Sequence, residues 1–269
     1  MRYMEHIPII IRKFASEPKT IEAMAQLVKL LERVNDSSVK DNAFEIFKEI
    51  ATELMSKFAI KKGDDYYQMV EIEFYWYSPN HPDLSVYPRR SKAGNWFLHP
   101  SGVDITLESC VEEDISMLQL RKDWENAKKN QENQNVVYSK SSYGGILIRS
   151  MHKFKPTNDP TNSASFVLGP WNCCDALFDY IPCDGNFKDI NTMLPEITYY
   201  DKVEMMPDLD KKMENIEGNL ICEAKRNGIS EKHSVQYKDA HYCFYINPDY
   251  LTGWKSSSYS NKPWYKKRQ

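Results

Sequence analysis

An α+β fold is what this sequence predicts, on three observations. Two amphipathic helical patterns come first, runs of alternating aromatic and β-branched residues follow, and no internal repeat divides the chain. A length of 269 residues suits one large domain or two small ones. With 41% hydrophobic residues the chain can build a sizeable core without disulfide or metal staples.

The first helix is predicted over residues 18–35, where Ile21, Met24, Leu27, Leu31 and Val34 recur at intervals of three and four. Asn35-Asp36-Ser37-Ser38 stops it and can cap a second helix over about 40–58. There Phe44, Phe47, Ala51, Leu54 and Phe58 form one stripe. Both stripes read as core packing, and the first helix also reads as a separate N-terminal appendage.

Residues 66–77 carry the clearest strand signal. Gln68, Val70, Ile72, Phe74 and Trp76 take one face; Tyr67, Met69, Glu71, Glu73, Tyr75 and Tyr77 take the other. Turn residues from Ser78 to Asp83 end it. Strands over 96–98 and 103–107, joined through Pro100-Ser101-Gly102, predict a hairpin. Residues 111–142 look inserted: a helical pattern (Ile115, Leu118, Trp124) runs into the polar stretch 128–135. Residues 145–149 read as a buried central strand, Gly169-Pro170 opens a short helix over 171–178, and strands are expected at 196–204 and 241–246. The expected organisation is an N-terminal helical extension (1–40), an α+β domain (41–255) carrying the 111–142 insertion, and a basic tail (256–269).

Composition removes several function classes. Net charge is −3, which disfavours indiscriminate coating of nucleic acid but leaves room for a local basic groove. The longest aliphatic run, residues 7–11, is far short of the ~20 residues of a membrane span, and residues 1–6 do not resemble a secretory leader. Six cysteines without a C-x-x-C pair predict reduced thiols, hence a cytoplasmic location, and no metal site. P-loop, G-x-G-x-x-G, G-x-S-x-G and H-E-x-x-H motifs are missing, so neither a nucleotide cofactor nor catalytic zinc is expected.

Glu71, Glu73 and Tyr75 share one strand face, although glutamate is depleted in strands. A pocket wall is one reading, with a carboxylate able to activate water beside a ring able to stack a planar ligand. A solvated face with the glutamates paired to lysines is the other. Asp104 and Arg149 each interrupt an apolar strand, and a buried charge needs a partner. They read either as an ordinary ion pair or as anchors for Glu73 and a water.

The run Met69-Val70-Glu71-Ile72-Glu73-Phe74-Tyr75 resembles the V-E-T-E-A-Y strand of the alkyladenine (3-methyladenine) DNA glycosylase family. Further segments follow in the family's order. Residues 50–60 resemble L-A-x-x-L-L-G-x-x-L-V, and residues 88–97 resemble the P-R-N-x-x-M-F segment with its following strand. Val103-Asp104-Ile105 falls at M/V-N-I/V, and Ile146-Leu147-Ile148-Arg149 matches V-L-I-R. Residues 169–177 resemble G-P-x-x-L-x-x-A-L, and Phe244-Tyr245 resembles the closing R-F-Y strand. The likeness covers about residues 43–180 and 241–246.

That resemblance implies a curved, mostly antiparallel sheet or partial barrel with flanking helices. It implies a DNA-repair N-glycosylase that flips a damaged purine nucleotide out of double-stranded DNA and hydrolyses its N-glycosidic bond without a cofactor. Glu73 would be the general base, Arg149 would hold the carboxylate and its water, and Tyr75 would stack on the base. Asp104 stands at the family's base-reading asparagine. His81 lies near the place of the pocket histidine, one turn early, with Leu84 at the usual spacing. Arg89, Arg90 and Lys92 are the expected phosphate contacts. The 96–104 hairpin is shorter than the family's and has no clear counterpart of its intercalating tyrosine; Leu98 or His99 could serve as wedge, with Leu98 reading first as a core strand residue. The alternative is a catalytically changed homologue that binds nucleic acid or a nucleotide; a third reading is an interaction protein in which the N-terminal helix and the 111–142 insertion meet a protein partner.

Overall fold

The structure is a computed structural model and describes residues 18–130, 137–154, 165–178, 195–199, 221–232 and 234–247. The first helix, α1 (Pro18–Leu31), ends four residues before the predicted limit, and α2 (Asp36–Lys57) begins earlier than predicted. The reason lies in Asn35, which caps α2: its side chain accepts the Ser38 N–H at 2.9 Å, and its own N–H donates to Ser38 Oγ at 3.0 Å. Leu27, Leu31 and Val34 join the same core as the sheet, so α1 is part of this body. Residue 40, where the sequence suggested a boundary, lies inside α2.

Ten strands follow among the described residues: β1 (Phe58–Lys62), β2 (Asp65–Ser78), β3 (His81–Pro82), β4 (Trp96–His99), β5 (Gly102–Thr106), β6 (Tyr143–Phe154), β7 (Ser165–Leu168), β8 (Glu196–Tyr199), β9 (Ile221–Ala224) and β10 (Cys243–Ile246). The helices α3 (Met117–Lys129) and α4 (Pro170–Phe178) interrupt them. All pairings are antiparallel, in the order β4-β5-β6-β2-β1-β8, and β10 also pairs with β2. The sheet curls into a half-barrel, so the α+β class and the curved antiparallel sheet are observed.

The curl has a local cause in β2. Residues 65–68 pair with β1, and residues 71–73 pair with β10 on the same edge. Register shifts against β6 fall between Met69 and Glu71 and between Glu71 and Ile72. They leave Val70 as the extra residue of β2 and Arg149 as the extra residue of β6. Bulges bend a strand and increase its twist. Strict alternation therefore fails at this point, and Met69 and Val70 are both in the core.

Beyond the bulge the two faces separate cleanly. Ile72, Phe74, Trp76, Ile146, Ile148, Ile105 and Phe244 lie in the apolar core, and α2 covers its β2 and β10 part. Phe47 of α2 stacks on Phe74 with centroids 4.7 Å apart and meets Tyr242 edge-on. On the opposite face the registers align Cys243, Glu73, Leu147, Asp104 and Phe97 in one row. This row carries the charges.

The 111–142 insertion contains α3, and of the three residues in its helical pattern Ile115 and Trp124 are half-buried while Leu118 is not. Leu118 is exposed, while Leu120 and Ala127 turn inward and Trp124 Nε1 donates to the Leu84 carbonyl. Residues 131–136, most of the expected 196–204 strand and the basic tail lie outside the described residues. No described helix is long and apolar enough to cross a membrane.

Candidate active site

Glu73 and Tyr75 lie two apart on β2 and so point to the same face. Arg149 reaches them from β6 because the bulge re-aims its side chain. Glu73 has no exposed surface, and Arg149 is 5% exposed. Arg149 Nη1 stands 3.3 Å from Glu73 Oε2, and its Nε donates to Glu71 Oε1 at 3.3 Å. The Tyr75 hydroxyl donates to Glu73 Oε2 at 2.8 Å. The Asn227 N–H donates to Glu73 Oε1 at 2.7 Å, and Ser150 Oγ donates to Glu71 Oε2 at 3.0 Å. The glutamates are thus paired with a guanidinium inside the protein, not with lysines at its surface.

Beside this cluster lies a second buried pair. Arg226 Nη1 stands 2.7 Å from Asp83, and its guanidinium lies 4.7 Å from the centre of the partly exposed Tyr75 ring. The sequence reading passed over Arg226, Asn227 and Asp83. Asp83 resembled ordinary turn chemistry, and Asn227-Gly228 carried only a turn signal. What links them to Glu73 is contact across more than 140 positions, which no local pattern encodes.

The environment acts on each group differently. Burial, together with the Glu73 charge, pushes the Tyr75 phenol well above its ordinary value, keeping it a hydrogen-bond donor. Burial would raise Asp83, but the Arg226 guanidinium, His81 and the Ser85 hydrogen bond together outweigh it and hold the carboxyl below its usual range. Burial and the charge of Glu71 push the Cys243 thiol well up, so it stays protonated against Glu71 Oε1. Counted formally, Glu71, Glu73 and Asp83 face two guanidiniums, leaving one negative charge in excess. Such a site can orient a carboxylate, take up a proton and favour a developing cation.

The remaining predicted residues are placed elsewhere. Asp104 sits in the Glu73 row with Leu147 between them. Its oxygens are taken by Arg89 Nη1 at 2.6 Å and His99 Nε2 at 2.8 Å. Burial would raise Asp104, yet these two partners hold it low. Asp104 therefore has no free edge with which to read a base in this conformation. Arg89, expected to meet phosphate, is 1% exposed and lies over the Phe97 ring at 3.9 Å. Arg89 is buried there because Gly145 leaves room for the pair: a Cβ on residue 145 would stand 2.5 Å from Arg89 Nη1.

His81 is also enclosed. Its Nδ1 lies 2.9 Å from the Trp76 carbonyl and its Nε2 lies 3.0 Å from the Tyr242 hydroxyl. Tyr237 stacks on it at 4.2 Å, and burial lowers its pKa. It supports β2 and does not line the Glu73 cluster. Of the expected phosphate contacts, Arg90 and Lys92 are at the surface; Arg90 donates to the Glu112 and Ile115 carbonyls, and Lys92 pairs with Glu108. Leu98 is buried in the core, and His99 is held on Asp104. Among the described residues no group of three or more His, Cys, Asp or Glu side chains is placed to hold a metal ion.

In comparisons with known proteins, no family model, no curated protein and no solved structure matches the chain.

Proposed function

We propose that the protein is a DNA-repair glycosylase that hydrolyses the N-glycosidic bond of a damaged purine nucleotide flipped out of a duplex. One observation carries the reading: a carboxylate, a guanidinium and a phenol converge from two neighbouring strands at Glu73, Arg149 and Tyr75. The curled antiparallel sheet supports it, as does the motif order, and a 3-methyladenine DNA glycosylase-like fold is part of the proposal.

The chemistry follows from these groups. An extruded base stacks on the Tyr75 face not covered by Arg226. Water takes the place on Glu73 Oε2 that the Tyr75 hydroxyl holds in the free protein. Glu73 accepts a proton from this water as its oxygen bonds to C1′. The C1′–N bond breaks with its electron pair going to the base: cationic 3-methyladenine leaves neutral and Glu73 returns its proton to solvent, whereas hypoxanthine takes up one proton from solvent, equal to the one Glu73 gives back. Arg149 orients Glu73, and the excess negative charge stabilises the oxocarbenium-like sugar. No cofactor is needed. Arg90 and Lys92 are the surface cations proposed to meet the DNA, in a cytoplasmic setting where thiols stay reduced.

The test is release of free base from duplexes carrying one hypoxanthine or one 3-methyladenine. Wild-type protein releases base and leaves an alkali-labile site, whereas Glu73→Gln loses about 10²–10⁴-fold in rate while still binding the duplex. Undiminished release by that variant removes Glu73 from the mechanism.

A second reading is favoured by a different observation: Glu73 is fully enclosed and Arg226 covers one face of Tyr75. On that reading the chain is a catalytically changed homologue that binds nucleic acid or a nucleotide. Salt-dependent retention of DNA without base release identifies it.

A further inference from the structure

Arg226 is buried to 3% exposure two residues beyond β9, at the start of the connection to β10. Burying a guanidinium costs several kcal/mol, and a well-packed apolar side chain often serves stability as well or better. The contacts of Arg226 converge on one stretch of β2. Nη1 donates to the carbonyl of Phe74, the residue between Glu73 and Tyr75, at 3.3 Å, and to Ser85 Oγ at 3.2 Å. Nη2 donates to the Tyr237 carbonyl at 3.0 Å. The planar group lies over the Tyr75 ring while Asp83 balances its charge. The next residue in the chain then supplies the N–H that holds Glu73 Oε1. One dipeptide, Arg226-Asn227, thus touches both β2 members of the site from a strand segment far away in sequence.

We infer that Arg226 is a positioning residue for the Glu73 site, fixing the plane of the Tyr75 ring and, through Asn227, the orientation of the Glu73 carboxylate. This rests on the proposed glycosylase reading. The guanidinium suits the task for a geometric reason. Its flat fork can lie on a ring and reach several acceptors at once, which a lysine ammonium cannot do. Misplacing a catalytic group by about 1 Å can cost about 10²-fold in rate. Arg226 also divides the two faces of Tyr75, leaving one for an extruded base.

The experiment uses the full chain and a duplex with a single hypoxanthine, under single-turnover conditions. Arg226→Met is expected to slow base release by about 10²-fold with half-saturation by DNA unchanged within about twofold. Arg226→Lys keeps the charge opposite Asp83, secures a folded variant, and is expected to fall between Met and wild type. Adding either change to Glu73→Gln lowers the rate no further, because both act on the same group. A lysine variant at the wild-type rate, or a loss appearing only as weaker DNA binding, overturns the inference and leaves the glycosylase reading standing. If wild-type protein releases no base, that reading fails, and amide hydrogen exchange at Asn227 decides the inference. Exchange at least about tenfold faster in Arg226→Lys than in wild type supports it. Unchanged protection overturns it.

Discussion

Gly145 lies where β6 passes beneath the Arg89–Asp104 pair. A Cβ built there would meet Arg89 Nη1 at 2.5 Å and Asp104 Oδ2 at 2.8 Å. Neither atom has anywhere to go: Arg89 is sandwiched over Phe97, and Asp104 is also held by His99. Gly145→Ala is therefore expected to separate the pair and lower stability by about 3 kcal/mol, the scale of a broken buried ion pair. Urea unfolding measures this, and a loss below about 0.5 kcal/mol, the range of a neutral surface change, contradicts it. At this scale the sequence was partly legible. Glu71 and Glu73 stood out because glutamates are unusual in a strand, and Arg149 because it ends an apolar run. Arg89 did not, since an arginine next to Arg90 and near Lys92 carries the pattern of a surface cation patch. Its burial depends on the space above Gly145, a property of two strands together.

Among the elements, α2 shows how a local signal sets a distant contact. The Asn35–Ser38 capping box fixes where the helix starts, and so where Phe44 and Phe47 arrive over Phe244 and Phe74. Asn35→Ala is expected to cost about 1 kcal/mol in thermal or chemical unfolding with the cooperativity retained. An unchanged midpoint would mean that the box contributes nothing to this helix. Asn-Asp-Ser-Ser is a strong cap signal, so this element was readable. The bulges at Val70 and Arg149 were not. A period of two reports the phase on each side of a bulge but not the insertion between them. The four-residue strands β7 and β9 are too short to show alternation, and their pairing with β6 and β10 is long-range. In α3 the helix was legible, and its inward face is Leu120, Trp124 and Ala127 at intervals of four and three, with Leu118 outside it.

For the whole molecule, helices first and antiparallel strands after were enough to predict the class. The site is less local: β2, β6 and the β9–β10 turn each supply a part of it. On the proposed function, a formal charge of −3 with Arg89 enclosed leaves attraction to DNA to local surface cations such as Arg90 and Lys92. Engagement of the sugar would then add to the affinity. On that same proposal, Glu73 and its negatively charged surroundings stabilise a cationic sugar. A duplex in which one deoxyribose is replaced by a protonated pyrrolidine tests this most directly, because that ring carries the charge of the reacting sugar. The account predicts binding at least about 10²-fold tighter than to an unmodified duplex, with the advantage erased in Glu73→Gln. Equal affinity for the two duplexes, or an advantage that survives Glu73→Gln, would contradict it.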